Sequence, residues 1–407
     1  MPNKISTYSS SQNLLHKSGK HPKTKKLNLT IFRTLLIFSI IVVLAAFSYY
    51  LFMLNSIIPS TSLSTQAQER LLINRESLKS TLIVMEDIDK VRISSAWYVI
   101  YNEKNLSTVV YHIPSGIYMK EYLSNVADYV SVGDLKYVGD TIDPKRKYEY
   151  AVWQLGNLTG ITPDSYIWIN NESQTAFINL FGNYYDFEKE KYLSKYTDSK
   201  DISISALLSN SMIDRFKYSR LIFNYSDFTS LVQGIDTNLT QVGLFQRFQM
   251  LKKALNTQTI DMLDLSQTWA TKQITNESGR KIDLINYEKV DEKLNVFVKD
   301  LKGRDIEREQ VKIEIYNASE IEGLASRYSR KFENSGIEVI RFENAPNTVE
   351  KTEVYISKKE KYPVSLNIVT KLLVVDTTLI EGRPDFMTTA DIVVILGKDM
   401  KNEASWK

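Results

Sequence analysis

The sequence contains no cysteine and only three histidines, His16, His21 and His112. The absence of cysteine excludes disulfide bonds, thiolate nucleophiles and cysteine metal sites. It does not exclude a location outside the cytoplasm, because 407 residues can bury a large core without disulfides. With two histidines near the N-terminus, the composition disfavours a Ser-His-Asp triad or a His-rich metal site. His112 has apolar neighbours, and we interpret it as a packed structural residue.

Acidic residues are missing from the whole N-terminal region, and the first one is Glu69. The first 33 residues instead carry seven lysines and arginines, so the rest of the chain has 44 basic and 48 acidic residues. Because the excess of positive charge is confined to residues 1–33, we interpret them as a basic cytoplasmic tail and expect no nucleic-acid partner for the body.

A segment without charge follows this tail at residues 34–54, with the sequence TLLIFSIIVVLAAFSYYLFML. As a helix it spans about 30 Å, the thickness of one bilayer core. A cleaved signal peptide is the alternative, but its apolar region would be only about 7–15 residues long. Tyr49, Tyr50 and Phe52 are typical of an interfacial aromatic belt. We therefore predict a single-pass anchor in the cell membrane, with the N-terminus cytoplasmic and the body extracytoplasmic.

Residues 55–69 are rich in serine and threonine and predict a short tether. Beyond it, runs of apolar and β-branched residues predict strands at 80–86, 96–101, 108–113 and 165–170, the second and third forming a hairpin. Helical spacing predicts helices at 150–160, 173–182 and 241–255. Pro114-Ser115-Gly116 interrupts an apolar run and is interpreted as a turn. Residues 257–300 give no clear pattern.

The charge run at 302–310 predicts a linker to a second domain. After it, strands are predicted at 311–316, 337–342, 352–357 and 390–397. One helix is predicted between an N-cap at Ser319 and Gly336, and another begins at Pro363. The resulting order, βαββαβ, predicts two helices packed on one sheet.

This second domain, residues 309–402, resembles the C-terminal LytR_C domain of the LytR–CpsA–Psr group of bacterial envelope proteins. The resemblance lies in the first strand with Asn317, in Gly323-Leu324-Ala325, in SGIEVI and in the terminal TADIVVILGKDM. The family commonly has Asn-Gly where this chain has Asn317-Ala318. No residue of this match carries chemistry.

Residues 70–300 resemble a divergent form of the catalytic domain of the same group. The matching stretches are STLIVMEDIDKVR, VVYHIPSGIYMK, GITPDSYIWINNESQTAFINLFGN and LFQRFQMLKKAL. The resemblance implies an α/β protein: one transmembrane helix, a mixed-sheet middle domain, and a small two-layer C-terminal domain. It also implies transfer of a glycopolymer from a polyprenyl-pyrophosphate carrier to peptidoglycan. Such a site needs arginines to hold the pyrophosphate and carboxylates to hold a divalent cation.

The candidate site residues in this sequence are few. Where the family has Arg-Asp after Ile-Pro, the chain has Ser115-Gly116. Asp87 or Asp89 could hold Mg²⁺, although residues of this kind more often cap a turn than bind a metal ion. Arginines that could bind phosphate are Arg92, Arg215, Arg220 and Arg247. Arg247 has the alternative of a solvated charge on an amphipathic helix.

The sequence favours a membrane-anchored envelope protein whose middle domain is a pseudoenzyme. It would bind a glycopolymer, a polyprenyl-phosphate lipid, peptidoglycan or an envelope partner. We assign it no cofactor, and Mg²⁺ is expected only if it is catalytic. One alternative is an active glycopolymer–peptidoglycan phosphotransferase. Another is a membrane-bound transcriptional regulator, in which only the basic tail could bind DNA.

Overall fold

The structure, a computed structural model, describes these residues: 34, 36–50, 61–63, 78–87, 91–103, 107–120, 128–145, 147–171, 173, 225–240, 242–244, 246–247, 249–250, 253, 260–298, 309–373 and 375–403. They fall into two compact units, residues 1–56 and 57–407. In the first unit, residues 36–50 are helical. Within the described ranges, no helix combines the length and apolar character needed to cross a membrane. The predicted span at 34–54 extends beyond those ranges and stays a prediction.

The middle domain combines ten strands and four helices among the described residues. In chain order they are β1 Leu78–Glu86, β2 Ile93–Asn102, β3 Thr108–Pro114, β4 Tyr118–Lys120, β5 Tyr129–Ser131, α1 Leu135–Ile142, α2 Lys147–Thr159, β6 Ser165–Ile169, α3 Tyr225–Gly234, β7 Ile235–Thr237, β8 Ile260–Asp264, β9 Thr271–Thr275, β10 Lys281–Ile285 and α4 Tyr287–Val298. The predicted strands and their hairpin are confirmed as β1, β2, β3 and β6.

Six of these strands form one mixed sheet in the order β7-β6-β1-β2-β3-β8. Strand β1 is antiparallel to β2 and parallel to β6. Alternate side chains of the central strands point to a core shared with α2, among them Leu82, Val84, Tyr98 and Trp168. Such alternation follows from the two-residue repeat of a strand. The region 257–300, which the sequence left unassigned, supplies β8 to this sheet and β9 and β10 to a second sheet ordered β5-β4-β10-β9.

The segment at Pro114-Ser115-Gly116 is a tight turn, as predicted. The amide of Ile117 donates to the carbonyl of Pro114 at 3.3 Å, and the amide of Gly133 donates to the carbonyl of Ser115 at 2.9 Å. The second bond joins the turn to a short 3₁₀ helix at Val132–Asp134. The turn is therefore attached to the body rather than projecting from it.

The C-terminal domain is a five-stranded sheet with two helices. Its elements are β11 Lys312–Asn317, α5 Leu324–Asn334, β12 Glu338–Asn344, β13 Glu353–Ile356, α6 Pro363–Leu372, β14 Thr378–Glu381 and β15 Ile392–Leu396. The order in the sheet is β12-β11-β15-β13-β14, with β15 buried at its centre. Both helices contribute to one core, through Tyr328 and Phe332 of α5 and Ile368 and Val369 of α6.

Two predictions for this domain are wrong in detail. Strand β14 was not predicted; it is a short, half-exposed edge strand and lacks a continuous apolar run. Ser319 does not cap α5, which begins at Leu324 after Gly323 with φ +71°. The Ser319 hydroxyl instead donates to Asn317 Oδ1 at 2.6 Å and accepts the Ile321 amide at 3.1 Å. The local turn around Asn317 satisfies Ser319 before the helix begins.

Several predicted features lie partly or wholly outside the described residues. These are the helix at 173–182 beyond residue 173, the linker before residue 309, and parts of the helix at 241–255. Described positions of the last segment are helical, and Leu244 is buried. Part of the predicted tether, residues 61–63, is attached to the middle domain. Leu63 is buried in the core, and the Ser62 hydroxyl donates to Asp236 of β7.

Candidate functional site

Four strands of the six-stranded sheet run in the same direction, so their carboxyl ends meet at one edge. β1 and β6 are parallel, β3 and β8 are parallel, and β2 is antiparallel to both β1 and β3. The last residues of these four strands are Glu86, Pro114, Ile169 and Asp264. Ligands of α/β sheets bind outside the carboxyl ends of such strands, so this edge is the candidate site.

A buried carboxylate, Glu86, stands at the end of β1 in this edge. Its Oε1 accepts three donors: Lys136 Nζ at 2.8 Å, Trp168 Nε1 at 2.7 Å and the Tyr148 hydroxyl at 3.2 Å. Side-chain exposure is 3% for Glu86 and 8% for Lys136. We call Glu86, Lys136, Tyr148 and Trp168 the Glu86 cluster. Because a buried charge is stable only when it is paired and hydrogen-bonded, these contacts stabilise the Glu86 carboxylate at this edge.

Neighbouring acids reinforce the neutral state of Tyr148 in this cluster. Burial raises the pKa of the Tyr148 hydroxyl, and the negative charges of Glu86 and Asp236 raise it further. The Tyr148 ring also packs against Trp168, with 4.4 Å between ring centroids. Tyr148 therefore acts as a hydrogen-bond donor to Glu86 across the ordinary pH range, and not as a phenolate base.

Asp87 and Arg92 lie at the outer rim of the Glu86 cluster, on either side of the β1–β2 turn. The Asp87 amide donates to the Arg92 carbonyl at 2.9 Å. Arg92 Nε lies 3.3 Å from Asp134 Oδ1, and their side chains are 62% and 40% exposed. Asp134 also accepts the Ser131 hydroxyl at 2.6 Å. An ion pair as exposed as this one contributes little to stability, so the rim is a solvated surface.

His112 and Asp264 form a second polar pair at this edge, on neighbouring strands. His112 Nδ1 and Asp264 Oδ1 are 3.0 Å apart, and His112 is 2% exposed. Burial raises the pKa of Asp264, but hydrogen bonds from His112 and Ser266 outweigh that effect and lower it overall. The His112 ring also stacks on Trp97. These contacts agree with the interpretation of His112 as a packed structural residue.

Arg247 lies at the opposite edge of the sheet from Asp87 and Arg92. Burial lowers the pKa of Arg247, and the nearby carboxylates Asp164 and Glu103 oppose that effect. Asp164 precedes β6 and accepts the Ser80 amide near the start of β1 at 2.7 Å. From Ser80 to Asp87 the strand rises about 23 Å. Arg247 is therefore not brought together with the other described candidates.

Two described carboxylates at the candidate edge, those of Glu86 and Asp134, are already held by protein donors. Mg²⁺ requires near-octahedral oxygen coordination through carboxylates that can turn toward it. Glu86 is bound by three protein donors, and Asp134 contacts both Arg92 and Ser131. Among the described residues, no three His, Asp or Glu side chains lie close enough together to bind one metal ion. Asp89, Arg215 and Arg220 lie outside the described residues.

Glu86 and Lys136 were not among the predicted site residues, although the sequence carries a signal for each. Glu86 ends the apolar run STLIVME, and Lys136 follows directly on Leu135, which is wholly buried in α1. A charged residue at the end of a buried strand or on an apolar helix face usually has a buried partner. Only the fold shows that these two residues are partners, because 50 positions separate them in the chain.

Comparison with solved structures gives weak likeness to several bacterial proteins. Lin1025 from Listeria innocua is 14% identical with a TM-score of 0.38, covering 56% of this chain and 99% of that protein. TagV of B. subtilis is 13% identical with a TM-score of 0.40, at 56% and 98% coverage. TagT of B. subtilis is 13% identical with a TM-score of 0.35, at 60% and 96% coverage. These TM-scores are too low to establish a shared fold.

No curated protein matches the sequence at a significant level. Residues 310–399 match the LytR_C family, described as LytR cell envelope-related transcriptional attenuator. This range lies within the domain predicted at 309–402 and covers β11 to β15. The C-terminal domain therefore matches the LytR_C family, as the resemblance predicted.

Proposed function

We propose that this protein is a membrane-anchored, extracytoplasmic envelope protein whose middle domain binds a polyprenyl-linked glycopolymer without transferring it. The observation that carries the proposal is the Glu86 cluster at the candidate edge. A transferase of this kind must present cations to a pyrophosphate. The buried cation at this edge, Lys136, is instead paired with Glu86 at 2.8 Å.

The turn at Ser115-Gly116 supports the same proposal. It lies at the end of β3, where the resemblance places Arg-Asp, and it presents neither a guanidinium nor a carboxylate. Of the candidate arginines that the structure describes, Arg247 lies at the opposite edge, and Arg92 lies at the exposed rim, 3.3 Å from Asp134. Loss of one electrostatic stabiliser typically lowers a rate by about 10²–10³-fold, so loss of several leaves little catalysis.

A lipid ligand is supported by the second face of the six-stranded sheet, the face turned away from α2. Ile83 and Met85 of β1 and Val99 of β2 point to this face and are partly exposed, whereas their neighbours on the same face, such as Trp97 and Val110, are buried. Apolar side chains in the centre of a sheet are normally covered. A polyprenyl chain could cover them and bury further apolar surface.

The test uses the full-length protein in a mild detergent, a polyprenyl-pyrophosphate glycan, peptidoglycan and Mg²⁺. We expect saturable binding and no transfer of the glycan. Met85→Lys should weaken binding at least about tenfold, because it places a charge on the apolar face. The matched control is Met387→Lys, since Met387 is 91% exposed in the C-terminal domain. Measurable transfer would disprove the non-catalytic role, and absence of binding would disprove the lipid ligand.

The alternative function, a membrane-bound transcriptional regulator, is suggested by the family name and has a separate test. Reporter fusions after residue 60 would show on which side of the membrane the body lies. We expect an extracytoplasmic reporter, because the positive charge precedes the apolar segment. A cytoplasmic reporter would favour a regulator that can meet DNA.

A further inference from the structure

The C-terminal domain contacts the middle domain at the C-terminal end of helix α2, where backbone carbonyl groups need hydrogen-bond donors. Helix α2 ends at Thr159, and no basic residue lies in its last turn. The last four carbonyls of a helix lack partners within the helix, and a nearby cation stabilises that end. The C-terminal end of α2 therefore requires donors from elsewhere.

Those donors come almost entirely from α5 of the LytR_C domain. Arg330 Nη1 donates to the Asn157 carbonyl at 2.6 Å, and Nη2 donates to the Leu158 carbonyl at 2.6 Å. Asn334 Nδ2 donates to the Thr159 carbonyl at 3.1 Å. The remaining carbonyl, Gly156, accepts the Thr159 hydroxyl at 3.3 Å. All four terminal carbonyls of α2 are thus satisfied, and three of them accept donors from a different domain; the Asn157 carbonyl also accepts the Gly160 amide at 3.3 Å.

A carboxylate of the middle domain fixes the two donors in place. Asp291 of α4 accepts Arg330 Nε through Oδ2 and Asn334 Nδ2 through Oδ1, the latter at 3.2 Å. Arg330 is 14% exposed and Asp291 is 19% exposed. The Arg330 guanidinium also lies over the Tyr287 ring, 4.6 Å from its centroid. The Arg330 guanidinium therefore donates hydrogen bonds from Nε, Nη1 and Nη2 and also packs one face on an aromatic ring. A lysine ammonium could not make all of these contacts.

The other end of α2 belongs to the candidate site. Tyr148 lies in the first turn of α2 and donates to Glu86 at 3.2 Å. A helix of 13 residues is about 20 Å long and moves largely as one rigid rod. A shift of its C-terminal end would therefore displace Tyr148 relative to Glu86.

We propose that the LytR_C domain is a positioning element for the middle domain: Arg330 and Asn334 supply the C-terminal cap of α2 and thereby hold Tyr148 on Glu86. This role does not depend on the ligand or on the absence of catalysis. It predicts that a change in α5 is detected at the distant end of α2.

The test is hydrogen–deuterium exchange of the full-length protein in detergent, comparing wild type with Arg330→Ala. We expect amides of residues 155–160 and of residues 148–152 to exchange at least about tenfold faster, since a cap bond and a buried ion pair are both lost. Exchange in β11 and β15 should stay as in the wild type, which shows that the LytR_C domain is still folded. Arg383→Ala is the matched control, because Arg383 is exposed in the same domain.

Arg330→Lys provides a second variant if Arg330→Ala folds poorly. Lysine keeps the positive charge but cannot donate to two carbonyls in the way the guanidinium does. The amides of the same two regions should therefore exchange faster than in the wild type, but by less than in Arg330→Ala. Faster exchange in both regions supports the proposal. Faster exchange only at 155–160, only within α5, or in neither region would overturn it. Ligand binding is measured separately, so a failure of the proposed function would leave this result unaffected.

Discussion

Lys136 Nζ lies 2.8 Å from Glu86 Oε1, and both side chains are almost completely withdrawn from solvent. The two residues lie on different elements, Glu86 at the end of β1 and Lys136 in the first turn of α1. Their contact joins the candidate edge of the sheet to the helix beside it. The stability of this edge should therefore depend on both charges.

The first prediction concerns the removal of the buried cation. Lys136→Met should destabilise the protein by about 3–5 kcal/mol, because it removes the cation that lies 2.8 Å from the buried Glu86 carboxylate. Urea unfolding followed by circular dichroism measures the change. The double variant Glu86→Gln/Lys136→Met should recover much of the loss, because glutamine keeps an acceptor for Trp168 and Tyr148 and carries no charge. Equal losses in the single and double variants would contradict this account.

The second prediction concerns pH. The pKa of Asp264 lies below its ordinary value of 3.8, so the folded state binds a proton at Asp264 less readily than the unfolded state. Its stabilising contribution is therefore complete above about pH 4 and is lost as the pH falls through the lowered pKa. Asp264→Asn should cost about 1.5–3 kcal/mol at pH 7, and the difference should shrink as the pH falls below 3.8. A difference that does not change with pH would show that the charge of Asp264 is not responsible.

The third prediction concerns the β3 turn. Ser115→Arg/Gly116→Asp restores the residue types that the resemblance places there. Nothing lies within 4 Å of a Cβ built on Gly116, so the double variant should fold with stability within about 0.5 kcal/mol of the wild type. We expect no gain of glycan transfer, because the neighbouring cation Lys136 stays paired with Glu86. A gain of transfer would mean that the rest of the site is competent.

The fourth prediction concerns the close approach of the two domains at Gly160. Its φ is +67°, and a Cβ there would lie 2.4 Å from Asn334 Nδ2. Gly160→Ala should lower the free energy of unfolding by about 1–3 kcal/mol, because it combines backbone strain with a steric clash. Gly116→Ala is the matched control, since that position is open and should show no loss. Thermal unfolding of the full-length protein compares the two, and equal midpoints would contradict the contact between the domains.

Local patterns in the sequence were sufficient for the hairpin of β2 and β3, for the buried strands β6 and β15, and for Pro363 at the start of α6. Each of these depends on neighbouring residues, through a two-residue alternation or a fixed backbone angle. Strand β14 and the strands of residues 260–285 were missed. They are short or half-exposed, and they become strands by pairing with distant segments such as β13 and β3.

The sequence predicted the residues of the candidate site less well than it predicted the fold. Asp87 and Arg92 were chosen because the resemblance places an Asp and then arginines after the first strand, and both residues lie at one rim. Arg247 was chosen from a motif and lies at the opposite edge, beside Asp164. Glu86 and Lys136 were not chosen at all, because their sequence signals do not show that the two residues are partners across 50 positions of the chain.

The sequence by itself determined the order of the chain: a basic tail, an apolar segment, a middle domain without cysteine chemistry and a LytR_C domain with recognisable strands. These features depend on composition and short periodicities, which are present before folding. Only the tertiary structure decided that Lys136 neutralises Glu86 and that Arg330 caps a helix of the other domain. Both contacts join residues far apart in the chain, and their energy depends on burial and donor geometry, which only the folded packing creates.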